Sequence, residues 1–139
     1  MASHVFHQLY YHFVWATKDR LPLITDDVCE QLIQCVEEAC RQRGVTAIAC
    51  NAMPDHVHLF VRLEPATGVA TFIGEIKGAS SYAHNRRFGS RHHLKWQDGY
   101  GVVTVRAAET EKVIRYVTNQ QTLHVARKTS RLLETTDGP

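Results

Sequence analysis

From His56 to Leu63 the chain alternates without a break: Val57, Leu59, Val61 and Leu63 fall on one set of positions, and His56, His58, Phe60 and Arg62 on the other. Period two is the signature of a strand with one face on a core. A similar reading applies to residues 45–52, and Met53-Pro54-Asp55 between them has the composition of a tight connection, so the two strands are expected to form a hairpin. Upstream, residues 5–16 are rich in aromatic and β-branched side chains (Tyr10, Tyr11, Phe13, Val14, Trp15) and read as a first strand. After a turn at residues 18–22 the period changes to that of a helix. Val28, Leu32, Val36 and Ala39 form one stripe, Thr25 stands at the N-cap, Asp26 and Asp27 occupy the first turn, and Gly44 closes the segment. A second helical stretch carries Val69, Phe72, Ile76 and Ala79 on one side, residues 100–106 are extended, and a last helix is expected over residues 109–126.

The order β-α-β-β-α-β plus a final helix predicts an α+β fold of the ferredoxin-like, split β-α-β type: an antiparallel sheet with two helices on one face and a C-terminal helix added. With 139 residues, 44% of them hydrophobic, the chain has the size of a single domain spanning 1–139, with a core over about residues 5–126 and a frayed tail at 132–139. It carries no apolar run of membrane-spanning length, and a cytoplasmic location without membrane attachment is expected. Cys29, Cys35, Cys40 and Cys50 have no C-x-x-C spacing, and three of them follow the helical period, which suits small apolar core residues better than a disulfide or zinc framework. The net charge of +2 identifies no partner, but its distribution is uneven: residues 76–97 hold no acid and contain Lys77, Arg86, Arg87, Arg91 and Lys95. Such a stretch can face phosphates, and a solvated helix end has the same composition.

Candidate chemistry lies at two places. If the apolar set of the 56–63 strand meets the helices, His56 and His58 stand side by side on the other face, about 7 Å apart along the backbone. Two imidazoles at that spacing can converge on one divalent ion, which would polarise a phosphoryl oxygen; two exposed strand histidines can also simply be solvated. In V-I-R-Y-V-T-N-Q-Q, Tyr116 and Gln120 are four residues apart and would share a helical face. A phenol is a poor nucleophile until a metal or another charge assists it, and an amide oxygen one turn away can serve as a ligand; Tyr116 can equally pack on the sheet with Gln120 in solvent. His12 on the first strand reads as a core histidine or a further ligand.

These segments occur together with I-K-G-A-S-S at residues 76–81, W-Q-D-G-Y-G at 96–101 and Y-V-T-N-Q at 116–120. With M-P-D-H-V-H-L-F-V at 53–61, the set closely resembles the single-tyrosine HUH transposases of the smallest bacterial insertion sequences, over about residues 5–124. The resemblance implies that His56 and His58 ligate magnesium or manganese with Gln120 as third ligand, and that Tyr116 forms a 5′-phosphotyrosine while releasing a 3′-hydroxyl. Donor chemistry alone would not choose magnesium, because imidazole suits zinc, nickel or copper better. The resemblance further implies strand exchange without a nucleotide cofactor, on single-stranded DNA with hairpins at the element's ends, by a homodimer whose tyrosine helix completes the partner's site. Lys77, Arg86, Arg87 and Lys95 become candidate phosphate contacts, and Trp96, with Tyr82 and Phe88, a candidate base-stacking surface. Val103-Thr104 departs from the residues relatives often carry there.

Three other functions remain compatible with the residues: a domesticated, non-catalytic binder of single-stranded or hairpin DNA; a nuclease using metal-bound water; and an RNA-binding sheet. The last leaves His56, His58 and Tyr116 without a role.

Overall fold

A computed structural model describes residues 4–120 and 130–136. Strands β1 (Tyr10–Ala16), β2 (Ala47–Met53), β3 (His56–Arg62) and β4 (Gly101–Val105) form one sheet in the order β2-β3-β1-β4. Every pairing is antiparallel, and this order is the split β-α-β arrangement expected from the sequence. Helices α1 (Asp26–Arg41) and α2 (Val69–Phe88) lie between β1 and β2 and between β3 and β4; α3 (Thr110–Thr118) and a one-turn helix α4 (Arg131–Glu134) follow.

The helical stripe and the strand alternation meet in one core. Phe13, Trp15, Val57, Leu59, Val61 and Leu63 pack with Leu32, Val36, Phe72, Ile73 and Ile76, as the period-two and period-3.6 patterns require. The opposite face was expected to be open, yet β3 is buried along six of its seven residues. A second, smaller cluster explains this: Phe60 and Ala49 of the sheet pack with Val113 and Val117 of α3. Asn51 tethers the same helix, donating from Nδ2 to the carbonyls of Val117 and Thr118 at 3.1 and 3.3 Å. Carbonyls at a helix C-terminus lack intrahelical partners, so these bonds satisfy groups that would otherwise be orphaned.

Several boundaries differ from the sequence reading. The first strand starts at Tyr10 instead of residue 5, and β2 spans Ala47–Met53 with an irregularity between Ala47 and Ala49. Thr25 does precede α1 in an extended conformation, but its side chain makes no capping bond; its Oγ1 lies 3.4 Å from His92 Nδ1. The last helix, expected over 109–126, stops at Thr118. Asn119 leaves the helical region with φ −102° and ψ 23°. Residues 121–126 of that expectation lie outside the described residues.

Candidate active site

β3 sits second in the sheet order, which gives His58 neighbours on both sides: Val14 of β1 and Asn51 of β2 are its register partners. Partners in register share a face, so His58 rises from the floor of the face that α3 covers. His56 and His58 are 3% and 0% exposed, and their rings stand edge to face with centroids 5.0 Å apart. Burial follows from α3 and α4, which no strand periodicity could reveal. Tyr116, on α3, brings its ring edge-on to His58 at 6.0 Å.

Glu134 joins these three side chains. Its Oε1 lies 3.2 Å from Nε2 of both His56 and His58, and its Oε2 accepts the Tyr116 hydroxyl at 2.5 Å. The backbone N–H of Ser130 donates to the same phenol oxygen at 2.6 Å. This segment can reach the site because Gly101 has no side chain. A Cβ there would lie 1.8 Å from the carbonyl oxygen of Thr135. Glu134 belongs to residues 132–139, where the sequence predicts a frayed tail. A lone glutamate with no periodic neighbours gave no signal, and only the reach of the chain back onto β4 and β1 reveals it.

Each histidine has a second partner. Nδ1 of His56 meets Asp55 Oδ1 at 2.7 Å, and Nδ1 of His58 meets His12 Nε2 at 2.9 Å. An ionised carboxylate only accepts hydrogen bonds, so the Asp55 contact places a proton on Nδ1 and leaves Nε2 of neutral His56 as a lone pair. That lone pair faces a carboxylate oxygen at 3.2 Å, a contact between two acceptors that calls for positive charge in between. A proton or a divalent cation meets the need. Donors 3.2 Å apart also match adjacent ligands about a small ion with bonds of about 2.1 Å. His56, His58 and Glu134 are the metal-capable group among the described residues, so the donor set fits a divalent ion.

Gln120 lies just beyond the break at Asn119, so it does not share α3 with Tyr116. It is fully buried, and Nε2 donates to the Tyr116 carbonyl at 2.9 Å, while its Oε1 has no hydrogen-bond partner among the described residues. An orphaned amide oxygen in a dry site is costly, and a cation or a donated proton would satisfy it.

The electrostatics oppose ionisation of the phenol. Burial, the hydrogen bond to Glu134 and its negative charge push Tyr116 up to about 12, against weaker opposing effects of the Ser130 N–H and the Gln120 amide. Burial also pushes Glu134 up, but with a proton on Nε2 of each ring the bonds from His56 and His58, the charge of His58 and the bond from Tyr116 more than offset it and hold the carboxyl well below the usual carboxylate range. His12 is pushed down to about 3, first by burial and then by His58, so it is neutral at physiological pH. Glu134→Gln is expected to bring the Tyr116 titration down from about 12 toward the ordinary value near 10, because the carboxylate's charge is lost while burial stays. Ultraviolet difference titration checks this; an unmoved midpoint would assign the whole shift to burial.

The basic candidates do not gather with the histidines. Lys77 Nζ donates to the carbonyls of Gln97 and Gly99, each at 2.8 Å, and Trp96 Nε1 donates to the Lys77 carbonyl at 2.9 Å with its ring edge-on to Trp15. Arg86 lies over the Tyr82 ring and Arg87 over Phe88 near the end of α2, and Lys95 is exposed. Trp15 and α2 belong to the core on the sheet face opposite α3, and this group stands with them. No described helix is long and apolar enough to cross a membrane.

A four-stranded antiparallel sheet with two helices on one face and an added helix on the other defines an α+β protein, with two buried histidines beside a tyrosine under the added helix. Residues 5–120 match the family model described as "Transposase IS200 like", and the chain belongs to that family. It is 29% identical over 122 residues to the ISDra2 transposase TnpA of Deinococcus radiodurans, covering 82% of this chain and 85% of that one. It is 28% identical over 115 residues to the transposase for insertion sequence element IS200 of Salmonella typhimurium, covering 79% and 75%. A crystal structure assigned to a transposase of D. radiodurans superposes with a TM-score of 0.69 at 28% identity, over 86% of this chain and 96% of that one. A REP-associated tyrosine transposase bound to a REP hairpin shares the fold at TM-score 0.60 and 16% identity, over 99% and 93%.

Proposed function

We propose that this transposase cleaves and rejoins single-stranded DNA at the ends of an insertion sequence through a covalent 5′-phosphotyrosine on Tyr116. The observation that carries the reading is the convergence of Tyr116, His56 and His58 on the one carboxylate of Glu134 within a single chain. His56 and His58 would hold a divalent ion through Nε2, with Glu134 Oε1 and the orphaned Gln120 oxygen as oxygen donors. Oxygen donors beside the imidazoles make the set more hospitable to magnesium or manganese than two histidines alone. When bound, the ion supplies positive charge to a phosphoryl oxygen of the scissile phosphate.

The chain's own residues perform the rest. Tyr116 Oη forms the bond to phosphorus as the bond from phosphorus to the 3′-oxygen breaks, and a 3′-hydroxyl is released. Because the phosphotyrosine conserves the bond energy, a second 3′-hydroxyl can reverse the step on a new strand, and no nucleotide cofactor is required. The Tyr116 proton is already hydrogen-bonded to Glu134 Oε2, yet this carboxyl is too weak a base and the phenol too weak an acid for transfer between them unaided. Added positive charge at the histidines favours the phenolate. A cleft of about 410 Å³ bordered by Arg115, Tyr116, Asn119, Ser130 and Leu133 opens beside the nucleophile and offers an approach for the strand.

The hairpin bound by the REP-associated structural neighbour supports hairpin DNA as the partner. Lys77, Arg86, Arg87, Lys95 and Trp96 would then serve DNA held along the helical face, away from the chemistry. One transposase domain, a homodimer and a cytoplasmic location complete the reading. The test is incubation of the protein and manganese with labelled single-stranded DNA from the flanks of its own gene. A covalent adduct surviving denaturing electrophoresis, with the nucleotide mapped to Tyr116 by mass spectrometry, is the expected result; cleavage without an adduct would assign the attack to water.

A further inference from the structure

His12 falls within the matched residues 5–120 but in none of the short motifs that carry the resemblance; it is 1% exposed and its Nε2 stands 2.9 Å from Nδ1 of His58, with ring centroids 5.1 Å apart. The register explains the meeting. Val14 is the cross-strand partner of His58 and His12 is paired with Phe60, so His12 is the diagonal neighbour of His58 on the same face.

The two histidines of the pair are thereby supported differently. Asp55 can only accept from His56 Nδ1. The His12 ring has no such restriction, since neutral imidazole offers either a donor or an acceptor at Nε2 according to its tautomer. When His58 Nε2 carries a proton for Glu134, Nδ1 accepts from His12; when Nε2 is given to a cation, Nδ1 carries the proton and His12 accepts it. The bond between the rings survives both states, and the orientation of His58 with it.

We propose that His12 is a positioning residue that keeps Nε2 of His58 aimed at the cation site whether or not a cation is bound, by exchanging donor and acceptor roles with His58 Nδ1. This rests on the reading of His56 and His58 as cation ligands. It assigns His12 no contact with DNA.

The experiment is calorimetric titration of the full chain with manganese alone, without DNA, for wild type, His12→Phe, His12→Gln and His56→Ala. Loss of an outer partner of a metal-bound histidine weakens affinity about 10- to 100-fold, and that loss is expected for His12→Phe, which keeps bulk but removes the hydrogen bond. His12→Gln, whose amide can donate or accept near the position of Nε2, is expected to recover most of it, which a merely space-filling role would not require. Unchanged affinity in His12→Phe overturns the proposal. Wild type binding no more tightly than His56→Ala would instead remove the metal reading itself, and the role of His12 with it. Should His12→Phe fail to fold, the wild type still decides through imidazole ¹⁵N spectra with zinc. A proton on His58 Nδ1 and none on His12 Nε2 supports the proposal, and a proton retained on His12 Nε2 overturns it.

Discussion

Tyr116→Phe is expected to eliminate the covalent adduct and to lower strand cleavage by about 10³-fold or more, the scale on which loss of a catalytic nucleophile is felt. Affinity for hairpin DNA should change little, since the phenol contacts Glu134 and Ser130 and the ring itself is retained. The fold should also persist, because α3 is anchored by Val113, Val117 and the two Asn51 bonds. Denaturing electrophoresis of the adduct and a native mobility shift of the complex measure the two halves separately. Undiminished cleavage in this variant would exclude the phosphotyrosine route.

His58→Ala is the second large effect, and it differs from His56→Ala in a way the structure dictates. Both remove a proposed ligand, and manganese affinity and cleavage are each expected to fall by more than about 10²-fold, because outer partners of a ligand alone account for as much as that. His58, however, is fully buried and contacts His12, Glu134 and the Tyr116 ring. Truncating it strands the buried His12 nitrogen at a cost of about 1–3 kcal/mol, whereas His56 leaves behind Asp55, which is one-third exposed and can turn to water. Chemical denaturation should therefore show His58→Ala less stable than His56→Ala, with similar losses of activity. Wild-type activity in either variant at the same manganese concentration would overturn the ligand assignment.

The likeness of this chain to its relatives bears on these tests through the family and the fold. Relatives at 28–29% identity share the family and a solved structure at 28% identity shares the fold, and the roles proposed for Tyr116, His56 and His58 are those the family resemblance implies.

What the sequence by itself determined is the set of features written in short-range periodicity and composition. The alternation over 56–63 specified a half-apolar strand, the stripe Val28, Leu32, Val36 and Ala39 specified a helix, and their order specified the split β-α-β sheet. The same alternation put His56 and His58 on a common face, and the spacing of Tyr116 kept it off the apolar stripe of its helix. Tertiary structure decided everything that depends on what is brought from afar. Period two says which side chains share a face but not what lies over them, so the burial of both histidines depends on packing from afar, with Tyr116 of α3 and Glu134 of α4 among the described residues that cover them. The end of α3 at Asn119 turned on one residue's backbone angles. His12 and Glu134, 46 and 76 residues from His58, became its partners only when β1 paired with β3 and the end of the chain folded back past Gly101. Hydrogen bonds at such separations leave no local pattern in a sequence, because a single polar residue at each end is enough to make them.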